Sequence, residues 1–280
     1  MKAVRTGYVM QTHTLSISSY ILTIAHYRDL IAQLVRREFH VRFRGAILGA
    51  LWAIINPLIN VLMYAFVFGI IFHSRWGDER VPQSFLLIVL LGMCIHGILA
   101  EALARAPNTI IGQPAYVKKV VFPLEILPIV VTVNSAFNAI ITLIIVLFAS
   151  IIINGSIPLT VLLLPIVILP YVLLITGIVL FVSAIGVYIR DMSQITGMVT
   201  TLALFLAPIF YPLTAVPEHY RFLLYLNPVT VIVENAREVT LYGHEPYWPA
   251  LLIYALIACV ILWLGYCWFQ KSRNGFADVV

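Results

Sequence analysis

Residues 116–128 read YVKKVVFPLEILP, two lysines, two prolines and a glutamate set between long apolar runs. On one side residues 84–104 are almost wholly apolar, and on the other so are residues 124–153. Crossing the hydrocarbon core of a bilayer takes about 20 apolar residues, and both runs reach that length. The interruption is then a loop at headgroup level and the runs beside it are crossings. Composition leaves no soluble alternative. The chain is 62% hydrophobic and 10% charged, against roughly 45–50% apolar and about 25% charged in a soluble domain. That much apolar surface has to face lipid.

The same length rule, applied along all 280 residues, predicts six crossings, near 47–72, 84–104, 124–153, 159–188, 195–216 and 249–269. The fold class is therefore an all-α integral membrane protein. Residues 1–46 are expected as a cytosolic tail plus an amphipathic helix, and residues 47–280 as a six-span membrane domain. The lysines and arginines orient it. Thirteen lie before the first run, between the second and third, between the fourth and fifth, or after the sixth; only Arg75, Arg80, Arg221 and Arg237 lie in the opposite loops. Both termini, and YVKKVVFPLEILP with them, are expected in the cytoplasm. Lys118 and Lys119 then sit among headgroups, Pro123 suits the first turn of the third crossing, and Glu125 suits the same turn, where the helix dipole favours an anion. Glu101 has Arg105 four residues on, a favourable helical pair. His96 lies deeper and is expected to hydrogen-bond between helices.

Two segments are too short or too polar to cross. In HYRDLIAQLVRREFHVRFRG, residues 26–45, Leu30, Ile31, Leu34 and Val35 recur at helical spacing opposite Arg28, Arg36 and Arg37. That is a basic amphipathic helix for the inner leaflet. Residues 1–20 are read as a retained tail, since Gln11, Thr12, His13 and Thr14 interrupt any signal-like apolar core. Between the fifth and sixth crossings, Asn227 is a good N-cap and Pro228 a good first helical residue, so a short helix is expected from Pro228 to Tyr242, ending at Gly243. With the apolar YRFLLYL ahead of it, this makes two short re-entrant helices at the outer face. Gly45 and Gly49, in GAILG, are spaced for close helix packing. Cys94, Cys259 and Cys267 all lie in apolar runs without CxxC spacing and read as small buried hydrophobes.

If a chain of this charge pattern moves a solute across the membrane it needs an energy source, and the sequence shows no motif for one. No GxxxxGK[ST] phosphate loop, no HExxH or other metal spacing and no paired intramembrane carboxylates occur. FRGAILGALWAIINPL, YVKKVVFPLEILP, YIRDMSQITGMVTTLALFLAPIFYPLTAVP and LNPVTVIVENAREVTLYG, in that order, resemble the permease subunit of type 2 ABC exporters, the polysaccharide and O-antigen branch. Ala46 stands where that family often has serine, and Gln113-Pro114 where asparagine is common. The resemblance implies a bacterial inner-membrane, multi-pass protein that pairs with a second copy of itself. Each copy would dock one ATP-binding subunit that holds ATP and magnesium; this chain itself would carry no cofactor and no metal. The cargo would be a lipid-linked polysaccharide, with membrane lipids around it and no nucleic acid.

The site residues follow from position and resemblance together. Arg36, Arg37, Gln113, Tyr116, Lys118 and Lys119 would touch the ATP-binding subunit. Tyr220, Tyr225, Asn227, Pro228, Glu234 and Arg237 would form an outer gate. Trp52, Asn56, Asn60, Tyr64, Phe68 and Phe72 recur at steps of four, each drifting about 40° round a helix. Burying Asn56 and Asn60 against lipid is costly, so this stripe should face protein or a cavity. Its rings, with Phe205, Phe210 and Tyr211, would offer flat faces to a sliding sugar chain. Alternatives within the fold are export of capsular or teichoic-acid polymer; a drug exporter would carry a large domain where only residues 74–83 lie. A membrane glycosyltransferase would want acidic residues clustered at one face, and here they are scattered.

Overall fold

The computed structural model describes residues 17–42, 45, 47–64, 66–67, 85–118 and 122–280, and among these every regular element is a helix. Two helices open the chain, α1 (Ile17–His26) and α2 (Arg28–Arg42). A 3-10 turn leads into α3 (Trp52–Tyr64), followed by α4 (Phe85–Arg105) and the short α5 (Pro114–Val117). Then come α6 (Ile126–Asn154), α7 (Leu164–Gly186) and α8 (Met192–Phe205). Two short helices, α9 (Arg221–Tyr225) and α10 (Pro228–Arg237), precede α11 (Trp248–Ser272) and a final turn, α12 (Phe276–Val279).

Four segments are long and apolar enough to cross a membrane: Phe85–Asn108, Ile126–Asn154, Leu159–Gly186 and Trp248–Val279. They coincide with the second, third, fourth and sixth runs read from the sequence. Of the first run, α3 is described. Phe68 and Phe72, with the loop that follows them, lie outside the described residues, as do Lys119, Ala46 and residues 1–16.

The fifth run differs from expectation. Helix was expected over 195–216, but α8 stops at Phe205. Pro208 brings no N–H, and a proline disfavours helical geometry at the residue before it. The chain turns at Leu206 and reaches α9 through Pro212 and Pro217.

α4 forms the middle of the bundle, with 72% of its most apolar window buried, whereas only 11% of the corresponding window of α6 is. α7 packs on α11 without a layer of side chains between them. A methyl group on Gly177 would lie 2.7 Å from the backbone of Ile261 and Leu262, and one on Gly265 would meet the Gly177 carbonyl. Small residues let helices approach this closely where lipid gives no hydrophobic drive to associate. Gly45 and Gly49 play a different part from the one expected. Both have positive φ, 84° and 49°, and neither approaches another helix. They turn the chain from α2 into α3, a left-handed geometry that glycine adopts without strain.

The tail reading also needs correction at its end. Ile17–His26 is helical, and Tyr20, 1% exposed, packs with its ring 4.8 Å from that of Tyr266. α2 buries Ile31 and Leu34 in the same cluster, with Leu124, Ile126, Phe269 and Phe276. Pro123 falls one turn before α6; Pro128 occupies the first turn instead, and Glu125 holds the N-cap position. At its far end α6 stops at Gly155, whose positive φ closes the helix with a bond to the Ile151 carbonyl. Of the cysteines, only Cys94 is buried; Cys259 is exposed on α11.

Candidate functional site

The stripe on α3 opens onto a cavity. Trp52, Asn56, Asn60 and Tyr64 all line a space of about 430 Å³ bounded by α4 and α6. α4 contributes His96, Gly97 and Glu101, and α6 contributes Ser135, Asn138 and Thr142. His96 bonds across to α8, its Nε2 3.1 Å from the Thr200 carbonyl oxygen. A carbonyl only accepts, so that nitrogen carries the proton. Phe205, Phe210 and Tyr211 stand apart from this cavity; the α8 residue on its wall is Leu204. Phe205 and Phe210 instead pair with each other at 6.4 Å, and the Tyr211 hydroxyl donates to the Phe205 carbonyl at 2.7 Å.

One end of the cavity is closed by a polar cluster that sequence spacing did not reveal. Glu101 accepts from Arg42 at 2.7 Å and from the Asn138 amide at 2.7 and 2.9 Å. One helical turn away, Arg105 donates to Glu38, and the Asn134 amide donates to the same carboxylate at 3.1 Å. Each of three helices thus supplies two residues four apart: Glu38 and Arg42 from α2, Glu101 and Arg105 from α4, Asn134 and Asn138 from α6. They stack as two layers, each with one arginine, one glutamate and one amide. The expected pairing of Glu101 with Arg105 along α4 is not made, because each finds its opposite charge on α2. Arg42, Glu101 and Asn138 also line a second space of about 520 Å³ that reaches Gln113. The layer of Arg42, Glu101 and Asn138 is the partition between the two.

Beside this second space, two separately predicted segments meet. Arg37 of α2 donates to the Tyr116 hydroxyl at 2.5 Å, and the Tyr116 ring stacks on Phe122 at 4.3 Å. Arg36 and Lys118 are exposed nearby and Gln113 is half-buried. Glu125, read from the sequence as a helix-start anion, is 1% exposed and pairs with Arg273 at 3.1 Å, while Arg273 also donates to the Phe122 carbonyl at 3.2 Å. The chain end thereby holds the loop before α6. Burial pushes the neighbouring Tyr20 phenol well above its ordinary pKa, and the Glu125 charge adds to this.

Residues 29–241 match the family described as ABC-2 type transporter. The chain belongs to that family. Over 256 residues it is 26% identical to the O-antigen export system permease protein RfbA of Myxococcus xanthus, covering 91% of this chain and 96% of that one. The RfbA protein of Klebsiella pneumoniae is 23% identical over 254 residues, covering 90% and 95%. The polysialic acid transport protein KpsM of Escherichia coli is 23% identical over 257 residues, covering 87% and 93%.

In this ABC-2 family chain the residues assigned to an outer gate divide into two sets. Tyr220 and Tyr225 are exposed on and beside α9. Asn227 caps α10, accepting from the Val229 N–H at 3.0 Å, and Pro228 is its first residue, as expected; the helix runs on through a π turn to Gly243. Arg237 is no surface group: it is 1% exposed. It donates to the Pro208 carbonyl and to Glu234 at 2.7 Å, and to the Ile88 and Ile209 carbonyls at 3.3 Å. The physical need comes from α8. A helix that stops inside apolar surroundings leaves carbonyls without donors. Asn227 donates to Ala203 at 2.7 Å, Tyr211 to Phe205, and Arg237 to the two carbonyls beyond. The sequence signal for this was the pair of prolines after α8, Pro208 and Pro212.

Proposed function

We propose that this chain is the membrane-spanning permease of an ATP-driven exporter that moves a lipid-linked polysaccharide of O-antigen type from the cytoplasmic to the periplasmic side of a bacterial inner membrane. The observation that carries the reading is the cavity itself. Against α4 and α6, two helices of membrane-crossing length, the shorter α3 presents Asn56, Asn60 and Tyr64 to a polar space shared with His96, Glu101 and Asn138. Names of relatives aligned over about nine-tenths of the chain support the cargo class.

In this reading α3 and α8 complete six crossings, both termini are cytoplasmic, and α9 and α10 cap the outer face. Residues 1–46 form the coupling segment and residues 47–280 the membrane domain. The chain works as a pair of copies with two ATP-binding subunits, which hold ATP and magnesium and do the hydrolysis. Those subunits press on α2 and on the Gln113–Lys118 loop, where Arg37 meets Tyr116. Motion of α2 reaches the cavity through the two polar layers, since Arg42 belongs to both α2 and the partition. The similarity to KpsM favours a second reading, export of a capsular polymer by the same route.

Deleting the gene and analysing lipid-linked glycans on each side of the inner membrane tests both readings. Accumulation of a lipid-linked O-antigen glycan inside, relieved by the wild-type gene, is the expected result. Accumulation of a capsular polymer would move the assignment to the second reading, and normal export of both would refute the two together.

A further inference from the structure

A groove of about 540 Å³ runs between α2 and α6, beside the second polar space, with which it shares Phe39 and Asn134. Its α2 wall is a helical stripe of Arg28, Ile31, Ala32, Val35, Arg36 and Phe39. Its α6 wall includes Ile129, Val133 and Phe137, again at steps of four. Phe39 and Phe137 close one end edge-to-face, their centroids 5.5 Å apart. The lining is aliphatic and aromatic except for the arginines and Asn134. Among the described residues no acid pairs with Arg36, and the acid beside Arg28, Asp29, stands 3.9 Å away with both side chains largely exposed.

We propose that this groove binds an anionic phospholipid, its phosphodiester held by Arg28 and Arg36 and one acyl chain laid along α6. Charge decides the headgroup. Arg36, with no acid partner among the described residues, and Arg28, with only its exposed 3.9 Å contact to Asp29, flank the groove, starting about 12 Å apart along α2, and arginine matches phosphate oxygens bidentately. Shape decides the tail. From the groove the apolar surface continues along α6 through Val133, Phe137, Ile140, Ile144 and Phe148, which are 37–64% exposed. That track is about 22 Å long at 1.5 Å per residue, longer than the roughly 15 Å that half of the hydrocarbon core provides. A cytosolic protein partner would leave this track bare, and a hydrocarbon chain covers it.

The place gives the lipid a role. Other residues of α2 hold Tyr116, Arg105 and Glu101. A lipid wedged between α2 and α6 sets the distance across which the two polar layers close, and so tunes the step by which α2 moves the partition.

The test reads lipid binding alone and does not depend on the identity of the exported glycan. The full chain, purified with its ATP-binding subunit in mild detergent, is mixed with phosphatidylglycerol or with phosphatidylcholine of the same acyl chains, and bound lipid is counted by native mass spectrometry. The wild type should retain phosphatidylglycerol preferentially. Arg28→Gln with Arg36→Gln should weaken that retention about thirty-fold, the factor implied by roughly 1 kcal/mol for each basic residue. Ala32→Trp, which fills the groove and keeps both arginines, should reduce retention of both lipids. Lys271→Gln removes a charge elsewhere and should leave retention unchanged. Equal retention of the two lipids by the wild type would overturn the proposal, as would an equal loss in Lys271→Gln or full retention in Ala32→Trp. Stronger retention of a polyprenyl phosphate than of phosphatidylglycerol, lost in Ala32→Trp, would assign the groove to cargo and likewise overturn it.

Discussion

The two ends of the bundle are held together by different chemistry. At the end that holds α2, charged side chains pair across elements distant in sequence: Arg42 with Glu101, Arg105 with Glu38, Arg273 with Glu125. At the end that holds α10, one buried arginine and one asparagine bond mostly to main-chain carbonyls freed by the end of α8. Pairs of charged side chains can exchange partners when an element moves. Carbonyls cannot leave the backbone that carries them, so the second arrangement fixes a shape. The α2 end is thus held by exchangeable partners and the α10 end by fixed ones.

Six substitutions, at four contacts, break or sharpen this contrast. Arg237→Met should cost the most, roughly 3–5 kcal/mol, because it takes the donor from three carbonyls in the bundle and leaves the half-buried Glu234 without its partner. The measurement is thermal unfolding in detergent, and an unchanged Tm would remove Arg237 as the frame of that end. Arg273→Gln should cost somewhat less, roughly 2–3 kcal/mol, since Arg273 keeps 23% exposure while it strands Glu125 at 1%. Adding Glu125→Gln should restore most of that loss; a double variant as unstable as the single one would contradict an ion-pair role.

Arg42→Gln and Glu101→Gln should each cost only about 1 kcal/mol, the range of half-exposed pairs, because their side chains are 48% and 22% exposed. Their effect should appear in transport: each alone should lower glycan export while the protein stays folded. A double-mutant cycle should give a coupling of at least about 0.5 kcal/mol, and additive effects would show that the two do not act as one partition. Tyr116→Phe should be the mildest, within about 0.5 kcal/mol. It removes the hydroxyl that accepts from Arg37 and leaves the ring stacked on Phe122. Export should fall without any change in Tm, and export equal to wild type would take this bond out of the coupling route.

Much of the architecture was legible because lipid imposes a length rule. Runs of about 20 apolar residues located α4, α6, α7 and α11, and the N-cap and proline at Asn227 and Pro228 located α10. The stripe of Asn56, Asn60 and Tyr64 was legible for a related reason: amides on an apolar helix must face something polar. The polar layers were not. Opposite charges four apart on one helix, Glu101 and Arg105, support a local pair, and only the position of α2 shows that each is matched elsewhere. The burial of Arg237 was not legible either, since its acceptors are mostly carbonyls, which leave no trace in residue type. The end of α8 was masked by hydropathy, which runs on through Pro208 although the helix does not.

The contact of Gly177 with Gly265 has a mechanical consequence. Two helices that touch backbone to backbone have no side chains between them to slip or change rotamer, so α7 and α11 behave as one strut with no play in the joint. Arg273, just beyond the end of that strut, grips Glu125 at the start of α6, so the strut also fixes one pivot of α6. Any rearrangement of the bundle that keeps this contact has to carry α7 and α11 together.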